Sequence, residues 1–89
     1  MSIEMLLVHL FGLEEMTKDT VLYQVFVVYD DESAEDFLYR NDDIPTHILD
    51  RKISQFCIDN LSSEYNDSEN PVIRQYAQTG DFYRVTIWV

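Results

Sequence analysis

Cysteine is almost absent from this chain of 89 residues, in which Cys57 is the only one. A single cysteine cannot form an intrachain disulfide, so the small secreted scaffolds that depend on disulfides are excluded. A thiol without a partner is typical of a reducing compartment. We therefore expect a cytoplasmic protein.

Basic residues are also few, since 6 Lys and Arg stand against 17 Asp and Glu and give a formal net charge of −11 at pH 7. Nucleic acids and anionic membranes repel such a chain, so we expect neither as a direct partner. The natural partner of an acidic surface is a basic one. This points to a basic nucleic-acid-binding protein or a nuclease.

Long apolar segments and catalytic motifs are missing too. The apolar run at residues 3–13 is about half as long as a bilayer span and has no basic segment before it, so it predicts neither an anchor nor a signal peptide. One Cys and two His cannot complete a zinc shell, and no acidic stretch has the glycine of a calcium loop. The chain also has no phosphate-binding loop and no nucleophile paired with a base. We therefore expect that the protein is not an enzyme and binds no metal and no cofactor.

The length predicts one domain, residues 1–89, with a modest core. Alternating or β-branched apolar residues predict strands at residues 2–11 and 21–29, and a hairpin formed by residues 72–78 and 82–89 around Gly80. Ser33 as an N-cap predicts a short helix at residues 34–39.

A longer helix is predicted at residues 47–61, after Pro45. Leu49, Ile53, Phe56 and Cys57 recur there at steps of three and four and would form its buried stripe against the sheet. The fold class expected is therefore α+β, with about four mainly antiparallel strands and with one long and one short helix packed on one face.

Acidic residues are concentrated in the middle of the chain, where residues 30–69 hold twelve acidic and three basic residues. Like charges this close repel one another, and a merely solubilising surface normally mixes both signs. We therefore predict a protein-binding belt of carboxylates, with two tyrosines as interface anchors because tyrosine is enriched at binding hot spots. The predicted site comprises Asp30, Asp31, Glu32, Glu35, Asp36, Tyr39, Asp42, Asp43, Asp59, Glu64, Tyr65, Asp67 and Glu69.

In size, charge and α+β content the chain resembles the small acidic DNA-mimic proteins of phages, namely the anti-restriction, anti-CRISPR and uracil-glycosylase inhibitors. The segment Tyr29-Asp30-Asp31-Glu32-Ser33 is similar to an acidic strand end of the glycosylase inhibitor. The resemblance implies an inhibitor that occupies the basic nucleic-acid-binding surface of a target protein, in the host cytoplasm if a phage encodes it.

Two alternatives stay open at this point. An immunity protein or antitoxin that neutralises a basic nuclease toxin would have similar size and acidity. Alternatively, the carboxylates form a solvated face that only keeps the protein in solution. A homodimer is also expected, because Phe82 and Trp88 would leave one face of the last strand partly apolar.

Overall fold

The structure is a computed structural model that describes residues 1–11, 21–38 and 44–89. The elements in chain order are α1 (Ile3–Phe11), β1 (Leu22–Val28), β2 (Ala34–Leu38), α2 (Thr46–Leu49), β3 (Gln55–Asn60), α3 (Ser62–Tyr65), α4 (Pro71–Gln78) and β4 (Phe82–Trp88).

The four strands form one mixed sheet in the order β2-β1-β4-β3. The two central strands, β1 and β4, run parallel, and Leu22 pairs with Phe82 at one end of their ladder and Val28 with Trp88 at the other. Each outer strand is antiparallel to its central neighbour. The α+β class and the four strands are thus confirmed. Two of the three pairings are antiparallel, but the pairing at the centre is parallel, so the sheet is mixed.

Helix α1 covers one face of the sheet. Its residues Ile3, Leu6 and Leu7 are buried together with the side chains that the central strands direct to this face, which are Val25, Val27, Val85 and Ile87. Full burial of an aliphatic side chain of this size contributes about 1.5–3 kcal/mol. This layer is the larger of the two cores.

A second, smaller core lies on the opposite face, at the end of the sheet where β1 and β4 begin. Leu22 and Phe82 are fully buried there beneath Leu61 and Ala77. Helices therefore pack on both faces, whereas the sequence analysis placed them on one.

The N-terminal segment was predicted as a strand and is the helix α1. Ile3, Leu6 and Leu7 follow the spacing of a helical face, and Leu and Met favour helix. The hydroxyl of Ser2 accepts a hydrogen bond from the backbone N–H of Met5, at 3.2 Å, and so satisfies one of the free donors of the first turn.

The helix predicted at residues 34–39 is also wrong, since residues 34–38 form β2. Ser33 does not cap a helix; its backbone N–H and hydroxyl both donate to the carboxylate of Asp31 and close a hairpin turn. The chain then pairs antiparallel with β1, so that Phe37 lies beside Val25.

The long helix predicted at residues 47–61 breaks into a short α2 and the edge strand β3. Its supposed stripe is divided: Leu49 and Ile53 are half-buried, Phe56 is 42% exposed and Cys57 is exposed. Phe56 and Ile58 alternate as in a strand, and pairing with β4 outweighs the weaker helical periodicity.

The first arm of the predicted hairpin at residues 72–78 is the helix α4. Asn70 caps this helix, and its side-chain oxygen accepts from the N–H groups of Val72, at 2.9 Å, and Ile73, at 3.3 Å. Pro71 starts the first turn, where its missing N–H costs nothing. Gly80, with φ +83°, follows the helix in the left-handed conformation that commonly ends helices.

Candidate functional site

The acidic stretch that begins at Asp30 is the turn between β1 and β2. The backbone N–H of Tyr29 donates to the carbonyl of Ser33, at 2.9 Å, and the N–H of Glu32 donates to the carbonyl of Tyr29, at 3.0 Å. Asp30, Asp31 and Glu32 form the tip between these bonds, and all three are exposed. The turn therefore presents three consecutive carboxylates to solvent from a hydrogen-bonded base.

Glu32 is the only residue other than glycine with a positive φ in the part of the chain that the structure describes, and its φ is 69°. This left-handed conformation costs a side-chain-bearing residue about 1–2 kcal/mol relative to the usual right-handed one. A glycine would avoid that cost. The chain thus keeps a carboxylate at the hairpin tip in spite of backbone strain, and such strain is often found at functional sites.

Asp31 stabilises the turn. Its carboxylate accepts from the hydroxyl of Ser33 and from the backbone N–H of the same residue, at 3.0 Å for the latter. These bonds, the hydroxyl first, hold the pKa of Asp31 below its usual value. Asp31 therefore keeps its negative charge to a lower pH than a free aspartate does.

Strand β2 continues the acidic series along the edge of the sheet, and it directs Glu35 and Asp36 to opposite faces. The Tyr29 hydroxyl donates to Glu35 at 3.2 Å, and the side-chain amide of Gln24 donates to Asp36 at 3.0 Å. Burial of Tyr29, with this bond to Glu35, raises the pKa of the phenol. Both carboxylates are thus exposed but oriented by Gln24 on β1 and by Tyr29, which follows β1. The five exposed acids Asp30, Asp31, Glu32, Glu35 and Asp36 are called the hairpin acids below.

A chain of hydrogen bonds extends from Asp36 across the sheet. Arg84 on β4 donates through Nε to the side-chain oxygen of Gln24, at 3.0 Å, and through a terminal nitrogen to the hydroxyl of Tyr65, at 3.3 Å. Its guanidinium also lies over the ring of Phe26, 5.8 Å from the ring centroid. Arg84 is therefore held in place by Gln24, Tyr65 and Phe26.

Tyr65, predicted as an interface anchor, lies on α3 and is half-buried. Its ring contacts Phe82 edge to face, with the centroids 5.3 Å apart. It therefore contributes to the second core as well as to the hydrogen bonds of Arg84.

The other predicted acids lie away from the hairpin. Asp59 is near the end of β3, where it lies opposite Arg84 in the ladder with β4. Glu64 lies on α3, and two more exposed carboxylates, Asp67 and Glu69, lie between α3 and α4. These four, called the helix-end acids, lie at the end of the sheet where β1 begins. The hairpin lies at the other end, and a strand of seven residues separates them by roughly 20 Å.

The predicted belt is thus divided into two groups in the described residues. Tyr39, Asp42 and Asp43, which the sequence analysis included in it, lie outside the described residues. The sequence analysis missed Gln24, Tyr29 and Ser33, which orient the hairpin acids. The pattern Asp-x-Ser at residues 31–33 was a usable signal, because Asp often closes a turn by accepting from the residue two positions on.

Over the ranges that the structure describes, no three or more His, Cys, Asp or Glu side chains are grouped so that they could hold a metal ion. None of the helices in those ranges combines the length and the apolar character needed to cross a bilayer.

Comparison of the chain with protein families, with curated proteins and with solved structures finds no match.

Proposed function

We propose that this protein is an acidic protein-binding inhibitor of the DNA-mimic type, which occupies the basic nucleic-acid-binding surface of a target protein. The observation that carries the proposal is the β1–β2 hairpin, which presents the hairpin acids from a turn fixed by Asp31 and Ser33. Carboxylates whose positions are fixed before binding lose little entropy when they meet basic side chains.

The electrostatic argument favours a partner with a basic groove. Fixed negative charges steer a basic partner over about one Debye length, roughly 8 Å at physiological salt. A groove that binds phosphates supplies Lys and Arg at the density that this hairpin would need. The protein therefore competes with nucleic acid for a binding site and does not itself bind nucleic acid.

The division of the acids into two groups allows a matched test. One variant neutralises four hairpin acids, Asp30→Asn, Glu32→Gln, Glu35→Gln and Asp36→Asn, and retains Asp31 because it holds the turn. The control variant neutralises the four helix-end acids, Asp59→Asn, Glu64→Gln, Asp67→Asn and Glu69→Gln. Both variants lose the same formal charge, so a difference between them reports position and not net charge.

Each protein is immobilised and exposed to a nuclease-treated lysate, and the captured proteins are eluted with a short DNA duplex. We expect wild type and the control variant to capture a DNA-binding protein that the duplex releases, and the hairpin variant to lose it. The purified partner should then lose affinity for DNA as this protein is added. Equal capture by both variants, or a stable ternary complex with DNA, would rule out site occupation by the hairpin.

A further inference from the structure

The sheet face opposite α1 is covered only at the end where the second core lies. Nearer the hairpin, β1, β2 and β4 direct to this face a group of mostly apolar side chains, which is called the open patch below. The open patch comprises the exposed Ala34 and the half-buried Phe26, Val28, Thr86 and Trp88. Neither core, as the described residues define it, includes any of these side chains.

The open patch is continuous with the hairpin. Ala34 is the first residue of β2 and directly follows the turn, and it pairs with Val28, the last residue of β1. Trp88 pairs with Val28 from the other side. Asp36, two residues after Ala34, points to the same face. A row of apolar side chains therefore leads from the acidic turn across the sheet.

The two sides of the hairpin differ in charge. On the α1 side, the guanidinium of Arg51 lies over the ring of Tyr29, 5.4 Å from its centroid, and the hydroxyl of Tyr29 donates to Glu35. On the side of the open patch, Asp36 accepts from the neutral amide of Gln24. A basic partner would therefore meet Arg51 on the α1 side, whereas Asp36 attracts it on the other.

The face of the open patch already holds one guanidinium on an aromatic ring, since Arg84 lies over Phe26. Among the strand residues directed to this face, Arg84 is the only base, and the acids are Asp36 and Asp59. Trp88 lies one row further towards the hairpin. Because tryptophan is the side chain that attracts cations most strongly through its ring, Trp88 suits an arginine from a partner.

Charge also decides between the possible occupants of the open patch. Asp36 and the hairpin tip border it, so two copies joined through it would bring carboxylates of the same sign together. The same carboxylates repel the phosphates of a nucleic acid. A basic protein surface is the occupant whose charge is complementary.

We infer that the target binds on the side of the hairpin away from α1, with an arginine on the ring of Trp88 and further basic side chains beside Asp36 and the hairpin tip. This inference rests on the proposed function and adds to it the face of the sheet that the target contacts. An aromatic centre with a charged rim is the usual arrangement of a binding hot spot.

Octa-arginine is the probe, because it presents guanidinium groups and has no aromatic signals of its own. It is added to the ¹⁵N-labelled full chain in salt of about 150 mM, where the Debye length of roughly 8 Å limits the reach of each charge. We expect the largest NMR shift changes at Ala34, Asp36 and the indole N–H of Trp88, the only tryptophan. The helix-end acids should change little.

Two matched pairs of variants compare the faces. Asp36→Asn and Glu35→Gln remove the same charge from adjacent residues of β2 that point to opposite faces. Asp36→Asn should raise the dissociation constant of octa-arginine about two- to fivefold, and Glu35→Gln should raise it less. Trp88→Ala should raise it by about the same factor as Asp36→Asn, whereas Phe56→Ala, which removes an exposed ring from the opposite face, should leave it unchanged.

Equal effects of Asp36→Asn and Glu35→Gln would overturn the inference, as would an indole signal that does not move, or no binding at millimolar peptide. If Trp88→Ala fails to fold, the wild-type indole signal and the variants of β2 still decide. The lysate experiment tests the proposed function separately. Capture that depends on the hairpin acids, together with an unmoved Trp88 signal, would reject this face alone, whereas a shifted Trp88 signal with equal capture by both variants would reject the proposed function.

Discussion

Truncation of Phe82 should lower the free energy of unfolding more than truncation of any other single side chain. Its side chain is fully buried in the second core, where it contacts the ring of Tyr65 edge to face. Phe82→Ala leaves a cavity beneath Leu61 and Ala77, and such a change costs about 3–5 kcal/mol. Because the hydroxyl of Ser62 bonds to the backbone of Phe82 and not to its ring, those bonds do not offset the loss.

A cost near 4 kcal/mol is a large share of the 5–15 kcal/mol that typically stabilises a domain. It should lower the melting temperature by about 15–30 °C in a domain of this size. Phe82→Leu, which keeps most of the apolar volume, should lose about 1 kcal/mol and give a folded variant for comparison.

The matched control is Phe56→Ala, which removes the same ring from an exposed position on β3. It should cost about 1 kcal/mol or less in urea unfolding at protein concentrations at which the wild type is monomeric. The helix expected from the sequence predicts the opposite, because it buries Phe56 in the core. If Phe56→Ala proved as costly as Phe82→Ala, the assignment of β3 to an exposed edge would be refuted.

Two further predictions concern the hairpin. Glu32→Gly should raise the free energy of unfolding by up to about 1 kcal/mol in urea titrations, because glycine adopts a positive φ without strain. The control Glu32→Gln removes only the charge. An equal gain in stability in this control would mean that backbone strain is not the cause. Ser33→Ala should raise the pKa of Asp31 in NMR titrations of the carboxyl group, because it removes the hydroxyl bond. Since the folded pKa of Asp31 is depressed, its contribution to stability is present above the unfolded pKa near 4 and is lost as the pH falls through the folded pKa. In Ser33→Ala, the free energy of unfolding should therefore decrease less than in wild type as the pH falls below about 4. An unchanged titration of Asp31 would contradict the assigned bond.

The sequence predicted the central strands well and the short elements poorly. The strands predicted at residues 21–29 and 82–89 contain β1 and β4, because buried central strands are rich in β-branched and aromatic residues over their whole length. Short apolar runs such as residues 3–11 and 55–60 fit both periods, and only their tertiary partners decide between helix and strand.

Helix α4 could have been predicted from the sequence, but the signals for it were interpreted as a hairpin. Asn70 before Pro71 is a favoured N-cap and first-turn pair, and Gly80 fits the residue just beyond a helix as well as a hairpin turn. The same glycine therefore supported two structures.

The site was predictable in composition but not in arrangement. The sequence indicated that exposed acids follow the end of β1, and the structure places Asp30, Asp31 and Glu32 there. It could not indicate that Asp59 lies on the opposite edge, since strand order depends on contacts between distant parts of the chain. The parallel pairing of β1 with β4 was hidden for the same reason.

That parallel pairing also determines the order in which the sheet can assemble. Gln24 and Arg84, which lie side by side on the two central strands, are 60 residues apart in the chain, so closing this contact is slow compared with forming the β1–β2 hairpin. Until β4 arrives, one edge of the apolar strand β1 is left open to pairing with other chains. The acids at the hairpin tip adjoin that strand and repel a second copy, so they also act as gatekeepers against aggregation during folding.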